Sequence, residues 1–472
     1  MHHLQSLLTT SFSAKVVAVD NVTQTQGSNT TGVDGKLYKS HQDKYALATK
    51  LNCKNYKPYP TRSVDIPKPH GGTRTLGIPT IRDRAHQALV LLAMNPEWEA
   101  RFEPNSYGFR PGRNAHHAVK AISDILHKNI KQYGNGETPL EKADQIWILD
   151  ADISKCFDNI SHDALLQKLH SSSPFQGIIK KWLQAGTITE IGFQRTEKGT
   201  PQGGVISPLL ANIALHGMEE QFGIYSETTK DNKPGERKYL PPSMRRGKNK
   251  GIAVVRYADD FVVITRATSD YCIKSYVKPK IDEFLRSVGL EIKEAKTRIV
   301  NIKQGFSFLG FQFRFRQDLD NTTYWPDQER IIRALEKLNQ YVQSRRAVSG
   351  KDMANFIRDI NQRVQGVIRY YGWSRAWGTI GYIGHRIWEI MHKWALRQHP
   401  KRGKKWVRAH CFTRRPWETF AYRGIKLVVP YQFWRQMVKG RNWWGIEQIR
   451  INSSPYDSGW KKCGKEKEPL TI

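Results

Sequence analysis

The chain has 472 residues, 39% of them hydrophobic, which is enough for two or three domains with substantial cores. Lys and Arg number 75 against 43 Asp and Glu, and the resulting net charge of +32 predicts a polyanionic partner. No apolar run approaches the roughly 18 residues of a membrane span, and the N-terminus shows no signal pattern. These features argue against a membrane protein and favour nucleic acid as the partner.

The cysteines are scattered and form no Cys-x-x-Cys pair, which argues against a zinc module and against a disulfide framework. This usage is typical of a reducing compartment and predicts a cytoplasmic protein. The cysteines are Cys53, Cys156, Cys272, Cys411 and Cys463.

The first element with recognisable chemistry is a predicted basic hairpin. Two short strands, Val64–Lys68 and Thr73–Ile78, flank a Gly-rich turn, with Lys68 and Arg74 beside it. From the residues alone, these two cations are more typical of a solvated hairpin surface than of a binding site. Helices are predicted next at Ile81–Ala100 and Ala115–His127, on either side of a basic, aromatic loop at Ser106–Arg113.

The first acidic segment is a predicted strand, Ile146–Ile153. Alternation along a strand places Asp150 and Asp152 on one face. Phe157 follows closely, in a position where an aromatic residue most often belongs to the core. Further along, the Gly and Pro content of Gly199–Pro208 predicts a loop, which by its residues alone is no more than a turn.

The most informative stretch is Tyr257–Asp260, which lies between the apolar runs Ile252–Val255 and Phe261–Ile264. These runs predict the two strands of a hairpin. Adjacent carboxylates in a folded core repel each other and are costly to desolvate, and a divalent cation offsets that cost. Asp-Asp alone is more often a plain turn, but Asp152 supplies a third carboxylate. Three acids on neighbouring strands suit two Mg²⁺ ions about 3.5–4 Å apart, the arrangement of two-metal phosphoryl transfer.

The segments that follow predict a second, more helical part of the chain. Residues 226–251 are polar and basic and predict an insertion. A strand pair is predicted from Glu291–Val300 and Phe306–Phe315, and the composition changes near 318–328. Amphipathic helices are then predicted at Arg330–Arg345, Met353–Tyr371 and Ile380–Arg397, followed by a basic run to Arg415.

The order of these pieces resembles the reverse transcriptase and maturase encoded by bacterial group II introns, over about residues 5–460. The motifs that carry the resemblance are the basic hairpin, Ser106–Arg110, Asp-x4-Phe-Asp from Asp152, Pro201–Gly203, Tyr-Ala-Asp-Asp, Lys-Thr at Lys296, Phe-Leu-Gly at Phe308, and, in the helical part, Val364–Gly372 and Trp394–Pro400.

The resemblance implies an α+β fold: the fingers and palm of a right-hand polymerase, with an antiparallel palm sheet, followed by an α-helical thumb or maturase domain. The implied domains are fingers (1–145), palm (146–320) with an insertion at 226–250, thumb or maturase domain (321–425), and a C-terminal remnant that resembles a DNA-binding region (426–472).

The resemblance also implies a catalytic metal site. The implied catalytic and metal-binding acids are Asp152, Asp259 and Asp260. The main-chain carbonyl of Ile153 is implied as an extra ligand of two Mg²⁺ ions, for which Mn²⁺ would substitute. Asp150 and Asp158 match no metal-binding position.

Further residues are implied to hold substrates. Those that would contact the incoming deoxynucleotide are Lys68, Arg74, Phe157, Gln202 and Lys296. Lys68 and Arg74 would hold its triphosphate, and the Phe157 ring would exclude a 2′-hydroxyl. Support of the primer end is implied for Phe308, Leu309 and Gly310. RNA binding, with an affinity that falls steeply with salt, is implied for Arg397, Lys401, Arg402, Lys404, Lys405 and Arg408.

The implied function is RNA-directed DNA polymerisation combined with RNA binding and splicing assistance for a group II intron. The implied partners are the intron RNA, an RNA template with a DNA primer, and deoxynucleoside triphosphates, with no membrane. Two alternatives stay open: a splicing-only RNA-binding maturase, and a domesticated reverse transcriptase in a defence or CRISPR-associated system. Compared with the family, we also expect a shortened N-terminus and no HNH endonuclease.

Overall fold

The computed structural model describes residues 2–54, 56–67, 72–131, 136–169, 174–226, 238–345, 348, 350–414, 418–439 and 456. They form two compact units. The first contains the residues up to Ala121, Gln145–Val300 and Ile449–Ile472, and the second contains Ile122–Asp144 and Asn301–Gln448. Every helix in the described ranges is too short or too polar to span a bilayer.

The first unit alternates helices with two four-stranded sheets and one two-stranded sheet. The elements up to residue 301 are, in chain order, α1 (His2–Thr10), α2 (Phe12–Thr23), α3 (His41–Lys50), β1 (Thr61–Pro67), β2 (Thr73–Ile78), α4 (Ile81–Arg101), α5 (Ala115–Lys131), α6 (Pro139–Asp144), β3 (Ile146–Asp152), α7 (Cys156–Asn159), α8 (His162–Lys168), α9 (Gln176–Leu183), β4 (Thr187–Thr189), β5 (Gly192–Gln194), α10 (Ser207–Leu215), β6 (Tyr225–Ser226), β7 (Lys238–Tyr239), β8 (Ala253–Tyr257), β9 (Asp260–Arg266), α11 (Lys278–Ser287) and β10 (Arg298–Asn301). Of these, α6 and the C-terminal part of α5 belong to the second unit. The two-stranded sheet is β6-β7.

The second unit is mainly helical. Its remaining elements are β11 (Phe306–Phe308), β12 (Phe311–Arg316), β13 (Asn321–Pro326), α12 (Gln328–Ser344), α13 (Lys351–Tyr371), α14 (Trp377–Gln398), α15 (Lys404–Cys411), β14 (Ala421–Tyr422), β15 (Ile425–Lys426) and α16 (Pro430–Val438).

The predicted basic hairpin forms the edge of a four-stranded sheet with the order β2-β1-β4-β5. β1 and β2 are antiparallel, and Pro67 lies opposite Thr73 at the turn end. β1 continues the sheet by parallel pairing with β4. Arg74 therefore projects from an edge strand and is exposed to solvent.

A second sheet, with the order β10-β3-β9-β8, carries the acidic segments. β3 and β9 are antiparallel, with Asp152 opposite Asp260 and Ala151 opposite Phe261. Because paired residues share a face and successive residues alternate, Asp152 and Asp260 lie on one face and Phe261 on the other.

The Phe261 face of this sheet is covered by the main hydrophobic core of the first unit. Phe261 and Val263 are fully buried, and they pack with Leu149 from β3 and Val254 from β8. Each fully buried side chain of this size stabilises the fold by about 1.5–3 kcal/mol relative to exposure. The helices that contribute to this core include α4, α8, α9, α10 and α11. This core fixes the sheet that carries the acids.

The predicted pairing of Glu291–Val300 with Phe306–Phe315 is wrong. β10 joins the acid-bearing sheet beside β3, whereas Phe308 of β11 pairs with Phe311 of β12 inside a separate three-stranded sheet. The chain reverses at Leu309 and Gly310, whose φ angles are +48° and +82°. A glycine adopts this left-handed conformation without strain, so the Leu-Gly dipeptide turns the chain into a hairpin.

The second unit packs its sheet against aromatic residues of α13. The ring of Phe311 lies 5.5 Å from the ring of Tyr370 and 5.3 Å from that of Tyr371. The helices form their own core around Trp394, which is buried against Phe356 and donates its indole N–H to the carbonyl of Arg345 at 2.8 Å. The three predicted amphipathic helices are confirmed as α12, α13 and α14, whose ends lie within three residues of the predicted ends.

A fully buried ion pair ties the end of α4 to the loop at Ser106–Arg113. The Arg110 guanidinium donates to both carboxylate oxygens of Glu99, at 2.8 and 2.7 Å. It also donates to the carbonyls of Glu103 and Ser106. The two side chains are 1% and 0% exposed. Removal of one partner would therefore leave a buried charge without its counter-charge.

We expect Glu99→Gln to lower the free energy of unfolding of the first unit by about 3–5 kcal/mol, because Arg110 stays buried after its counter-charge is lost. Urea unfolding followed by tryptophan fluorescence measures the change. Asp270→Asn is the matched control: it removes the exposed ion pair with Lys274 and should cost about 1 kcal/mol or less. Equal costs for the two variants would contradict the expectation.

Candidate active site

The predicted Tyr-Ala-Asp-Asp hairpin is confirmed, and its turn has two residues. Tyr257 pairs with Asp260, which leaves Ala258 and Asp259 at the turn. Ala258 has a φ of +58°, a left-handed conformation that side chains other than glycine rarely adopt. The N–H of Ile153, just after β3, donates to the carbonyl of Asp259 at 3.3 Å. These contacts place Asp259 next to the cross-strand pair of Asp152 and Asp260.

The pKa values of Asp259 and Asp260 are raised in this cluster. Burial, together with the charges of Asp259 and Asp152, raises the pKa of Asp260 to about 6. Burial and Asp152 also raise the pKa of Asp259, whereas Arg74 and Lys296 lower it. Because Asp260 is exposed to solvent, repulsion from the neighbouring acids contributes more to its raised pKa than burial does. The cluster therefore favours a bound cation.

Two cations lie against this acidic face. The Lys296 ammonium donates to Asp152 Oδ2 at 2.7 Å, and this hydrogen bond raises the pKa of Lys296. Arg298 donates to Asp150 Oδ2 at 3.0 Å, and burial raises the pKa of Asp150. Asp150 is thus committed to an ion pair on the same face.

A divalent metal fits the chemistry of this donor set. Carboxylate and carbonyl oxygens are the ligands that Mg²⁺ prefers, and Mg²⁺ needs few of them from protein. Across the described ranges, no group of three His, Cys, Asp or Glu side chains is already gathered as a metal cage. The Lys296 ammonium holds Asp152 instead. Metal binding here would therefore have to exchange a lysine contact for a metal contact.

The residues predicted to contact a nucleotide are partly brought together. The Arg74 Nε donates to the amide oxygen of Gln202 at 2.6 Å. Phe157 is half-buried, and its ring meets that of Phe109 edge to face at 6.1 Å. The N–H of Thr200, two residues before Gln202, donates to the carbonyl of Phe157 at 2.6 Å. Lys68 lies outside the described residues.

The hydrogen bond between the Thr200 N–H and the Phe157 carbonyl depends on the glycine that comes directly before Thr200. Gly199 has a φ of +83°, and a Cβ there would lie 2.6 Å from the carbonyl oxygen of Asp158. Its N–H donates to the carbonyl of Ile160 at 2.8 Å, while His162 binds its carbonyl at 2.7 Å. The Pro-Gln-Gly loop is therefore fastened to the segment that carries Phe157.

The residues predicted for primer support and RNA binding lie in the second unit. Phe308 is buried, the carbonyl of Leu309 accepts the Tyr370 hydroxyl at 2.8 Å, and Gly310 lies beside Tyr371. Arg408 makes a two-pronged contact with Glu418, at 2.5 Å for each hydrogen bond. The six cations predicted to bind RNA are all exposed: Arg397, Lys401, Arg402, Lys404, Lys405 and Arg408.

Sequence reasoning missed Arg256, which holds the acidic turn from beneath. This residue is 1% exposed. Its guanidinium donates to the Ala258 carbonyl and to Asn212 Oδ1 at 3.1 Å each, and to Ser106 Oγ at 2.7 Å. The signal was in the sequence: alternation along β8 sends Arg256 to the core face when Tyr257 pairs with Asp260 on the other.

Gly108 of the Tyr-Gly-Phe-Arg motif packs directly against the acidic turn. A Cβ at this position would lie 2.3 Å from the Ala258 nitrogen, a main-chain atom that cannot move aside without the turn. Asn212 Nδ2 donates to the Gly108 carbonyl at 2.8 Å, and the Tyr107 N–H donates to the Arg256 carbonyl at 2.9 Å. The motif therefore supports the turn through its backbone.

Two buried carboxyls complete the network around Arg256. Glu103 Oε1 accepts the N–H groups of Glu219 and Glu220 at 2.7 and 3.0 Å, and Glu219 accepts from Asn105. Burial raises the pKa of Glu103 to about 7, and burial together with the charge of Glu103 raises the pKa of Glu219 to about 8. At least part of this pair therefore stays protonated near neutral pH.

Comparison with known proteins agrees with this geometry. The family model for reverse transcriptase (RNA-dependent DNA polymerase) matches residues 66–313. A model for the N-terminal domain of reverse transcriptase matches residues 1–51, and one for the group II intron maturase-specific domain matches residues 333–412. The first match spans more than half of the chain, so the chain belongs to the reverse transcriptase family.

Individual relatives place it more narrowly. Protein YkfC of Escherichia coli (strain K12) is 34% identical over 307 residues, which are 60% of this chain and 76% of that protein. The group II intron-encoded protein LtrA of Lactococcus lactis subsp. cremoris is 26% identical over 439 residues, 78% of this chain and 70% of LtrA. A solved telomerase structure from Candida albicans matches with a TM-score of 0.40 and 12% identity, covering 75% of this chain and 65% of that one, a likeness too low to support a conclusion.

The chain is thus a group II intron-type reverse transcriptase and maturase. It is an RNA-directed DNA polymerase of α+β fold, in a family that generally depends on divalent metal ions. The sequence prediction of family, fold class and enzyme class is confirmed. The expectations about a shortened N-terminus and a missing endonuclease stay predictions.

We expect Gly108→Ala to reduce primer extension about 100-fold or more, since a shift of the acidic turn by even 1 Å misaligns the reacting groups. Gly177→Ala is the matched control, because a Cβ at Gly177, in α9, meets nothing within 4 Å. Circular dichroism checks that both variants fold. Wild-type activity in folded Gly108→Ala would show that the turn does not depend on this contact.

The Glu103–Glu219 pair predicts a pH dependence of stability. Both groups bind a proton more tightly in the folded protein than in the unfolded one, where the ordinary pKa is 4.5. The folded state therefore loses stability as the pH rises from 4.5 to about 7 for Glu103 and about 8 for Glu219, by roughly 1.4 kcal/mol per pH unit for each group, and the loss levels off above these values.

Urea midpoints between pH 6 and pH 9 measure this loss. The slope should flatten in Glu103→Gln, which removes one of the two titrating carboxyls, and should persist in the control Glu190→Gln, whose residue is exposed on the β4–β5 turn. An unchanged slope in Glu103→Gln would assign the loss to other groups.

Proposed function

We propose that this polymerase carries out nucleotidyl transfer at the β8–β9 turn, with Asp152, Asp259 and Asp260 as the catalytic acids. The observation that carries the proposal is the cross-strand pairing of Asp152 with Asp260 beside Asp259, in which the charges of Asp152 and Asp259 help to raise the pKa of Asp260. Two Mg²⁺ ions, with Mn²⁺ as a substitute, would bind these carboxylates and the Ile153 carbonyl. When bound, such ions activate the primer 3′-hydroxyl and stabilise the departing pyrophosphate.

The protein side of the reaction is positioning. In the proposal, Arg74, together with Lys68, holds the triphosphate of a deoxynucleotide, since guanidinium and ammonium groups pair well with phosphate oxygens. Phe157 fills the space that a 2′-hydroxyl would need, and its packing against Phe109 limits its movement. No side-chain nucleophile is required, because the primer supplies the attacking oxygen. Lys296 borders the site through its contact with Asp152.

The second unit supplies the RNA-binding part of the proposal. Its exposed cations on α15 and the preceding loop suit phosphate contacts. We assign it to binding of the template–primer duplex and of a group II intron RNA whose splicing it assists, and we place primer support at the Phe308–Gly310 turn. The division into fingers (1–145), palm (146–320) and thumb or maturase domain (321–425) belongs to the same proposal, as does a cytoplasmic location.

Primer extension on an RNA template with Mg²⁺ and deoxynucleotides tests the catalytic assignment. Asp259→Ala should lower the rate by about 1,000-fold or more, because loss of a metal-binding carboxylate removes several kcal/mol of transition-state stabilisation. Binding of the template–primer duplex, measured by fluorescence anisotropy, should be unchanged.

Asp150→Asn is the matched control for that experiment. Asp150 lies on the same face as Asp152 but is held by Arg298, so its loss should change the rate by less than about tenfold. Equal synthesis by wild type and Asp259→Ala would refute the assignment of the acids. No synthesis by the wild type would favour a splicing-only maturase.

A further inference from the structure

Asp158, which matches no metal-binding position, begins a hydrogen-bond chain that reaches the nucleotide side of the site. Its Oδ1 accepts from the amide nitrogen of Gln202 at 2.7 Å. The amide oxygen of Gln202 accepts in turn from Arg74 Nε at 2.6 Å. Three segments distant in sequence, the α7 turn, the Pro-Gln-Gly loop and the edge strand β2, are linked by these two bonds.

The chemistry of the two end groups fixes the orientation of the amide between them. A carboxylate can only accept hydrogen bonds, and a guanidinium can only donate them. The Gln202 side chain must therefore turn its NH₂ group toward Asp158 and its oxygen toward Arg74. Without the carboxylate, only the contact with Arg74 itself orients the amide, and the Gln202 side chain is held at one end where it was held at both.

Backbone hydrogen bonds hold the main chain on both sides of this hydrogen-bond chain, so the Gln202 amide moves mainly by rotation about its side-chain bonds. The Gly77 N–H on β2 donates to the Gln202 carbonyl at 2.9 Å. The Asp158 N–H donates to the Lys155 carbonyl at 2.9 Å, and the Thr200 N–H donates to the Phe157 carbonyl. The main chains at both ends are thus held, and Asp158 is the group that settles the remaining rotation.

The contact with Gln202 uses the Nε of Arg74. The two terminal nitrogens of the guanidinium form the fork that suits two-pronged contact with phosphate oxygens. A guanidinium fixed through Nε therefore presents this fork in one direction. Freed from the chain, the exposed Arg74 side chain would spread over many rotamers and lose entropy each time a triphosphate binds.

We propose that Asp158 is a positioning residue for the incoming nucleotide: it orients the Gln202 amide, and through it the Arg74 guanidinium. The inference rests on the proposed role of Gln202 and Arg74 in nucleotide binding and extends it to a carboxylate outside the catalytic cluster. Its effect falls on the affinity for the deoxynucleoside triphosphate and leaves the chemistry at the acids and the binding of the template–primer duplex unchanged.

Steady-state primer extension on an RNA template, with one deoxynucleotide varied, tests this role. Asp158→Ala should raise the KM for that nucleotide about five- to tenfold, the equivalent of one hydrogen bond. The kcat and the duplex affinity should stay within about twofold of wild type. Asp158→Asn keeps an oxygen that can accept from Gln202 and should restore most of the KM. Asp163→Ala, an exposed carboxylate in the first turn of α8, is the control and should behave as wild type.

A double-mutant cycle asks whether Asp158 acts through Gln202. If it does, adding Asp158→Ala to Gln202→Ala leaves the KM of the single Gln202→Ala variant unchanged within about twofold, and the two effects are not additive. Independent, multiplying effects would overturn the proposal, and so would equal defects in Asp158→Ala and Asp158→Asn. An unchanged KM in Asp158→Ala, in an enzyme whose wild type is active and whose Asp259→Ala variant is dead, would refute this inference alone.

Discussion

The Tyr257–Asp260 turn of this protein depends on one buried guanidinium. Arg256 reaches the Ala258 carbonyl, Ser106 and Asn212 from the core side of the sheet. It thereby holds the turn, the Tyr-Gly-Phe-Arg loop and α10 to one another. A buried charge is expensive to leave without partners, so the contacts of Arg256 favour keeping these three segments together. The left-handed conformation of Ala258 lies within that arrangement.

The acid-bearing sheet separates two layers of charged side chains, one on each of its faces. On its open face, carboxylates face Lys296 and Arg298, which are exchangeable partners at the surface. On its core face, Arg256 is buried with Glu103 and Glu219, whose charges act on it through a dry interior. The first layer is suited to exchange cations with solvent and substrate, and the second is suited to stay fixed. The Pro-Gln-Gly loop packs onto the segment that carries Phe157, because Gly199 lets the two backbones approach closely.

Local patterns in the sequence predicted much of this arrangement. The acidic hairpin, the strand of Asp152 and the long helices follow from alternation, apolar periodicity and turn residues, which act over a few positions. Contacts between distant segments were not predictable in the same way. Lys296 lies 144 residues from Asp152. β10 pairs with β3, which is distant in sequence, and not with β11, which follows it in the chain. Arg256 was overlooked because a lone arginine in an apolar run gives no sign of the acceptors that tertiary folding supplies.

The position of Arg256 on β8 has a consequence for how the gene can change. Side chains on a strand alternate between faces, so inserting or deleting a single residue within β8 would exchange the places of Arg256 and Tyr257. The guanidinium would then lie on the acidic face of the sheet as a competing cation, and a phenol would be buried near Glu103 and Glu219. Descendants of this sequence can therefore lengthen or shorten the loop before β8, but the short strand itself should tolerate substitutions far better than changes in length.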